Sequence, residues 1–306
     1  MVAFKRTVGQ SIAKEMLKKI LNHNIYTLMF VGPPGVGKAT LALEFSQVLV
    51  CKGEEKPCGE CYGCRRFGGL KSPDIFILSG KEGEPFKPRP DDFYESESII
   101  KISQVRNLQN ELQKPPFEFR KRVVIIMNIE NANLESQNAL LKVLEEGSKN
   151  TTFILISSKP TYVLPTVKSR ALHIRFSPLS YEDFTRILGE ENEFLYRVSE
   201  GSPGIAKGFL RMGEDFHKSV EVWERIINFK DNSAIEMGLN LFEKWKGYFL
   251  RIGYAKAKEY YYDYGDWENF KRILFSLRDV EMGFKRYTYE KVLYLSALWN
   301  YPFGVI

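Results

Sequence analysis

The sequence runs to 306 residues, 44% of them hydrophobic, and 44 Lys and Arg against 38 Asp and Glu leave a formal charge of +6. Such a chain can fill the cores of two or three ordinary domains, so it is globular, and no apolar run approaches the ~20 residues a membrane span requires. The mild positive charge suits a nucleic-acid or acidic-protein partner but is equally an ordinary surface balance. Met1-Val2-Ala3-Phe4-Lys5-Arg6 contains no apolar leader, and the expectation is a soluble, cytoplasmic protein with no membrane contact.

In chain order, Ser11 is placed to cap a first amphipathic helix with Ile12, Met16, Ile20 and Leu21 on one face. An apolar strand over Thr27–Val31 then feeds into Gly32-Pro33-Pro34-Gly35-Val36-Gly37-Lys38-Ala39-Thr40. Glycines at the first and sixth positions followed by lysine form the P-loop pattern, whose backbone N–H groups wrap a polyphosphate while the ammonium neutralises its outer charges. Gly32, Gly35, Gly37, Lys38 and Thr40 are therefore the candidate nucleotide-binding residues. The position after the lysine calls for a hydroxyl that ligates magnesium, and Ala39 has none. Thr40 sits about a third of a turn further round the helix and does not replace it. Binding of ATP or ADP stays open, against a bare glycine-rich turn, while hydrolysis is disfavoured.

All four cysteines fall in one short stretch, Cys51, Cys58, Cys61 and Cys64. Four thiolates on a Gly/Pro-bent segment can converge on one tetrahedral zinc ion, with every position taken by sulfur and so a structural role, whereas disulfides would be spread to close loops. The alternative is a set of free reduced thiols. A strand follows at Ile75–Leu78, then an aperiodic acidic and Gly/Pro-rich excursion over residues 80–98, read as surface. Ser103 opens a helix that Pro115-Pro116 stops. The next strand, Arg122–Met127, is apolar on both faces as a central parallel strand is. In P-loop ATPases that strand ends in acidic residues that hold magnesium and polarise water. Here it ends in Met127-Asn128-Ile129-Glu130, so the second half of the metal site is missing unless Glu130 serves.

Asn133 caps a further helix, and strands over Thr152–Ser157 and Leu172–Phe176 flank Leu164-Pro165-Thr166 and Ser169-Arg170. His173 lies in a strand pattern and reads as packed. The alternation of strands and helices after a P-loop predicts an α/β domain with a parallel sheet covered on both faces. From Pro178 the pattern turns helical: Ser180 with Asp183 resembles a capping box, and Gly201-Ser202-Pro203-Gly204 separates two short helices. Beyond Gly213 come helical patterns dense in aromatics, including Trp223, Trp245, Tyr248, Phe249, Tyr260-Tyr261-Tyr262, Trp267, Phe270, Phe275 and Trp299. Their helical spacing favours core and subunit interface over base stacking.

Val8-Gly9-Gln10, the P-loop, the four-cysteine insertion, Asn138-Ala139-Leu140-Leu141-Lys142-Val143-Leu144-Glu145-Glu146, Leu164-Pro165-Thr166 and Ser169-Arg170-Ala171 occur in an order that resembles the AAA+ clamp-loader subunits of DNA polymerase III. The likeness covers roughly residues 4–212, and Ala171 departs from the family's Ser-Arg-Cys. It implies an AAA+ P-loop domain over residues 1–177 with a zinc module at about 51–64, a small helical lid over 178–213 and a helical collar over 214–306. Motor subunits carry Thr or Ser after the P-loop lysine, Asp-Glu at the end of the third strand, and an arginine where this chain has Gly204. Ala39, Met127-Asn128 and Gly204 make the chain resemble the type that does not hydrolyse ATP. The resemblance further implies that Arg170 enters a neighbouring subunit's ATP site in trans. Its implied partners are the gamma/tau and delta subunits, with the sliding clamp and primed DNA reached through the complex. The alternatives are an active motor subunit, argued against by the same residues, and a zinc-containing nucleic-acid-binding protein that reuses the fold.

Overall fold

The computed structural model describes residues 2–21, 23, 26–80, 99–146, 150–229, 233–267 and 271. Of the excursion expected over 80–98, residues 81–98 lie outside them, as do the aromatics Phe270, Phe275 and Trp299. The chain divides into two compact units, one of residues 1–190 with 201–204 and the other of residues 191–200 with 205–306.

Five short runs of β-branched and other apolar residues become β1 (Thr27–Val31), β2 (Ile75–Leu78), β3 (Arg122–Ile126), β4 (Thr151–Ser157) and β5 (Leu172–Arg175). They form one sheet in the order β2-β3-β4-β1-β5, every pairing parallel. Register follows from burial on both faces. Leu28, Phe30, Val123, Ile125, Ile154, Ile156 and Ile174 point to one side, against α1 (Ser11–Ile20) and α2 (Lys38–Val50). Met29, Val124, Ile126, Phe153 and Leu155 point to the other, where Val105 and Leu108 of α4 (Ile102–Gln113) and Leu140 and Val143 of α5 (Leu134–Glu146) meet them. A one-residue slip in any central strand would exchange these two sets; both are apolar, so the register rests on the fit of each set against its own helices. The chain leaves β1 for the far edge of the sheet and returns later on β1's other side. β1 thus sits where the winding reverses, the place at which open parallel sheets bind ligands beyond the strands' C-terminal ends.

Two expectations are corrected. Ser11 is the first helical residue; the cap position belongs to Gln10, whose left-handed backbone (φ 54°) is held by its side chain, as described below. His173 is exposed, because β5 is an edge strand and every second residue on it faces outward; its ring nitrogen reaches the Lys168 carbonyl at 3.2 Å. The expected caps at Asn133 and Ser180 are present, accepting from Ser136 N at 2.8 Å and Asp183 N at 3.2 Å.

The remaining short helices of the first unit are α3 (Tyr62–Gly68), α6 (Pro165–Lys168) and α7 (Tyr181–Leu188). In the second unit α8 (Glu193–Val198), most of α9 (Pro203–Met212), α10 (Glu214–Phe229) and α11 (Ser233–Tyr264) pack through Trp223, Phe209, Phe242, Phe249 and Tyr248. The expected aromatic core is therefore present here, with Trp223 Nε1 donating to the Phe249 carbonyl at 2.9 Å. Non-helical angles at Trp245 (φ −128°, ψ 29°) kink α11 into two pieces, and the indole N–H there donates to Asp215 Oδ2 at 2.8 Å. Tyr262, in the last turn of that helix, and Trp267, beyond its end, are exposed.

Candidate functional site

The P-loop joins β1 to α2. Gly37 caps the helix in the left-handed region (φ 100°), which a side chain would strain, and Lys38 is the first helical residue. The lysine points inward, only 4% exposed, and its ammonium donates to Gly32 O at 2.6 Å, Pro33 O at 2.5 Å and Ser158 Oγ at 3.0 Å. Burial pushes its pKa down to about 8, opposed in part by the nearby Glu130 carboxylate. Ala39 is buried on α2 and brings no oxygen; Thr40 is partly buried and makes no side-chain hydrogen bond among the described residues.

Two clasps hold the loop itself, and a third ties the N-terminal segment to α2 beside it. Gln10 donates from Nε2 to Val36 O at 3.2 Å and Ser177 O at 2.7 Å, and accepts from Ser177 N at 3.2 Å. Glu44, buried on α2, accepts from Arg6 N, Thr7 N and Thr7 Oγ1 at 2.8–3.2 Å. On the remaining side the backbone of residues 201–204 lies directly on the loop: Ser202 Oγ donates to Pro34 O at 2.8 Å and Gly204 N to Gly35 O at 3.0 Å. A Cβ at position 204 would lie 2.6 Å from Gly35 Cα. No side chain fits there while that contact stands, so glycine at this position is more than a missing arginine. It permits the backbone approach.

At the end of β3, Met127 is buried and Asn128 turns the chain through the left-handed region. Glu130 follows in a short 3₁₀ turn; its Oε1 accepts from Ser158 N at 2.9 Å and Lys159 N at 3.2 Å, and its Oε2 is buried without a hydrogen-bond partner among the described residues. Its carboxylate therefore anchors the end of β4 beside Lys38, a function that sequence reading did not assign.

Arg170 follows α6 and lies at the surface. Its Nε donates to Glu145 Oε1 at 2.8 Å, its Nη2 reaches the same oxygen, and Nη1 donates to Thr166 O at 2.8 Å.

The four cysteines converge, their sulfurs all within 4.8 Å of one another and none in a disulfide. Cys58 and Cys64 Sγ are 3.9 Å apart, close to the ~3.8 Å edge of a tetrahedron with ~2.3 Å zinc–sulfur bonds. Backbone N–H groups of Gly53 and Cys58 point at Cys51 Sγ, of Cys61 at Cys58 Sγ, and of Cys64 at Cys61 Sγ, all at 3.3–3.4 Å. Such donors favour thiolates. Those from Cys61 and Glu60 lower the Cys58 pKa, and at Cys61 the donors outweigh an opposing burial effect to bring it to about 6, while burial raises Cys64. The donor set fits a structural zinc ion. The module is fastened to α2, with Gln47 Nε2 donating to Cys64 O at 2.8 Å. It is fastened to the sheet edge as well. Asp74 accepts from the backbone N–H groups of Phe117, Glu118 and Phe119 at 2.6–2.7 Å, Glu118 pairs with Arg66 at 2.5 Å, and Phe119 stacks edge-on against Phe67.

A parallel five-stranded sheet with a P-loop at its switch point, and a short helix followed by an arginine before β5, defines a P-loop protein with the AAA+ fold. The crystal structure of a DNA polymerase III gamma subunit-related protein from Thermotoga maritima shares that fold, with a TM-score of 0.55 at 15% identity over 94% of this chain and 98% of that one. Residues 9–180 match the family described as "DNA polymerase III, delta subunit", and the chain belongs to that family. Among its relatives, DNA polymerase III subunit delta' of Pseudomonas aeruginosa is 34% identical over 193 residues, which are 60% of this chain and 55% of that protein. Subunit delta' of Bacillus subtilis is 28% identical over 64% of this chain and 53% of its own length, and subunit tau of Escherichia coli is 28% identical over 65% and 31%. The chain thus spans about half the length of the delta' relatives it matches. Among the described residues no helix is long and apolar enough to cross a membrane.

Proposed function

We propose that the chain is a cytoplasmic clamp-loader subunit of the delta' type, which does not hydrolyse ATP itself and supplies Arg170 to the ATP site of a neighbouring gamma/tau-type subunit. The observation that carries this reading is the contrast at the loop. The chain's own phosphate site has Ala39 at the metal-ligand position and residues 202–204 seated on it, so binding of ATP or ADP is a residual property at most. An arginine that follows Leu164-Pro165-Thr166 is, by contrast, exposed. A guanidinium delivered to a transferring phosphoryl group stabilises the charge that develops there. Cys51, Cys58, Cys61 and Cys64 hold a structural zinc ion. The delta subunit, the sliding clamp and primed DNA are partners reached in the complex, with residues 1–177, 178–213 and 214–306 acting as P-loop, lid and collar domains. The motor reading requires a metal-ligating hydroxyl that position 39 does not supply.

The test is steady-state ATP hydrolysis by a reconstituted loader with wild-type chain or Arg170→Ala, beside the isolated chain. The isolated chain should be inert, and the substitution should slow clamp- and DNA-stimulated turnover about tenfold or more, roughly 1.4 kcal/mol. Turnover by the isolated chain, with the complex indifferent to Arg170→Ala, would return the motor reading.

A further inference from the structure

We infer that Glu145 is a positioning residue for Arg170: it grips one edge of the guanidinium and presents the other, pre-oriented, to an incoming phosphate. The inference rests on the trans-acting reading of Arg170 and deepens it. A guanidinium carries five N–H donors in a planar fork, with two edges that can each engage an oxyanion. Among the described residues, three of the five are engaged. Nε–H and one Nη2–H converge on Glu145 Oε1, along the side of the fork, and one Nη1–H goes to Thr166 O. Among the described residues one N–H on each terminal nitrogen has no acceptor, and two terminal nitrogens can together hold two phosphoryl oxygens.

The two anchors come from different elements. Glu145 is in the last turn of α5, and the Thr166 carbonyl belongs to α6. α5 is itself tied to the segment leading into α6, because Gln137 donates to Ala132 O at 2.9 Å and Tyr162 O at 3.1 Å and accepts from Leu164 N at 2.8 Å. The guanidinium therefore has a fixed frame on two sides. The Arg170 and Glu145 side chains are 39% and 51% exposed, so the pair adds little to stability, in the range of surface ion pairs. What it supplies is orientation. An arginine side chain free to rotate must be ordered when the neighbour's phosphate arrives, whereas one already held loses less freedom at that moment.

The carboxylate also lowers the local positive charge, so two effects compete. If holding dominates, removing the side chain slows the reaction; if charge compensation dominates, removal speeds it. Gln at 145 separates them, since its amide oxygen can still accept the side-edge donors while the charge is gone. The experiment is clamp- and DNA-stimulated ATP turnover in the reconstituted loader with Glu145→Ala, Glu145→Gln, Arg170→Ala and the Glu145→Ala/Arg170→Ala double variant. Thermal unfolding of each isolated chain and co-purification of each loader run beside it. Glu145→Ala should lower kcat about threefold to tenfold with KM for ATP little changed, as loss of pre-orientation does. Glu145→Gln should recover most of that loss, and the double variant should be no slower than Arg170→Ala alone. Unfolding and assembly should be unmoved. Glu145→Ala at or above the wild-type rate, while Arg170→Ala remains slow, overturns the positioning role and leaves the arginine reading standing. So does a further loss from Glu145→Ala in the Arg170→Ala background. An Arg170→Ala loader with full activity overturns both.

Discussion

Lys38 and Arg170 are two cations of the same unit, each in a motif associated with phosphate, and the structure treats them in opposite ways. Lys38 is buried and directs its ammonium at two carbonyls of its own loop and at Ser158. Arg170 is exposed, held by one surface carboxylate and one carbonyl. The difference teaches that a motif match reports where a charge is carried, and the surroundings decide whether that charge is spent on the chain's own structure or offered to something else. A buried ammonium released from its acceptors must be repaired elsewhere, because unpaired buried polar groups are costly. A surface guanidinium exchanges one oxyanion for another at small cost.

The largest effect that sharpens this contrast is expected from metal removal. α2 begins at Lys38 and ends beside Cys51, so the P-loop helix is pinned at one end by the loop and at the other by the cysteine module. Structural zinc sites contribute folding free energy outright, about 10–16 kcal/mol in isolated zinc-finger peptides. Chelation at neutral pH should release one zinc per chain and strip hydrogen-exchange protection from residues 51–68 and the last turn of α2. The sheet strands and the Arg170 edge should keep theirs. Unchanged protection of the cysteine segment after chelation would remove the metal reading.

Next in size is the closure over the loop. Placing a side chain at 204 brings Cβ within 2.6 Å of a backbone carbon, which no rotamer relieves. Gly204→Arg is expected to cost about 1–3 kcal/mol in urea unfolding, the range for overpacking, and to leave the isolated chain without ATP turnover, because position 39 still lacks its oxygen. A Gly204→Arg chain as stable as wild type would mean that residues 202–204 do not rest on the loop in solution.

These contacts also mark where sequence reading stopped. The strands are short contiguous apolar runs, the P-loop is contiguous, and the cysteines are close in the chain, so sheet, loop and candidate metal site could be read locally. Gln10 could not, because its partner Ser177 is 167 residues away. Nor could Asp74, whose three acceptances fall on residues 117–119, or the seating of Gly204 on Gly35. Buried polar residues find partners set by tertiary placement, which no periodicity encodes. His173 failed for a related reason: its strand pattern was right, but only the sheet order shows that β5 is an edge. Ala39 and the Met127-Asn128 ending were legible because they are departures within contiguous motifs.

The smallest effect at physiological pH, and the most direct probe of the loop, is the titration of Lys38. Its pKa is lowered to about 8 in the folded chain, against about 10.4 for an unfolded lysine. Below pH 8 the group is charged in both states and its burial penalty is fully present. Between about pH 8 and 10.4 the unfolded chain binds more protons at this site, so its contribution to stability rises with pH across that window. A ¹³C signal from Lys38 Cε, assigned by its loss in Lys38→Met, should titrate with a midpoint near 8; a midpoint near 10.4 would place the ammonium in water and dissolve the contrast with Arg170. Repeating the titration with excess ATP decides whether the loop still takes a nucleotide. A polyphosphate within ~4–6 Å favours the charged form and would drive the midpoint upward. If residues 202–204 keep the loop shut, ATP leaves the midpoint where it was. On the proposed trans reading, the same nucleotide in an assembled loader would then act at the neighbour's site, where Arg170 is the cation this chain is proposed to supply.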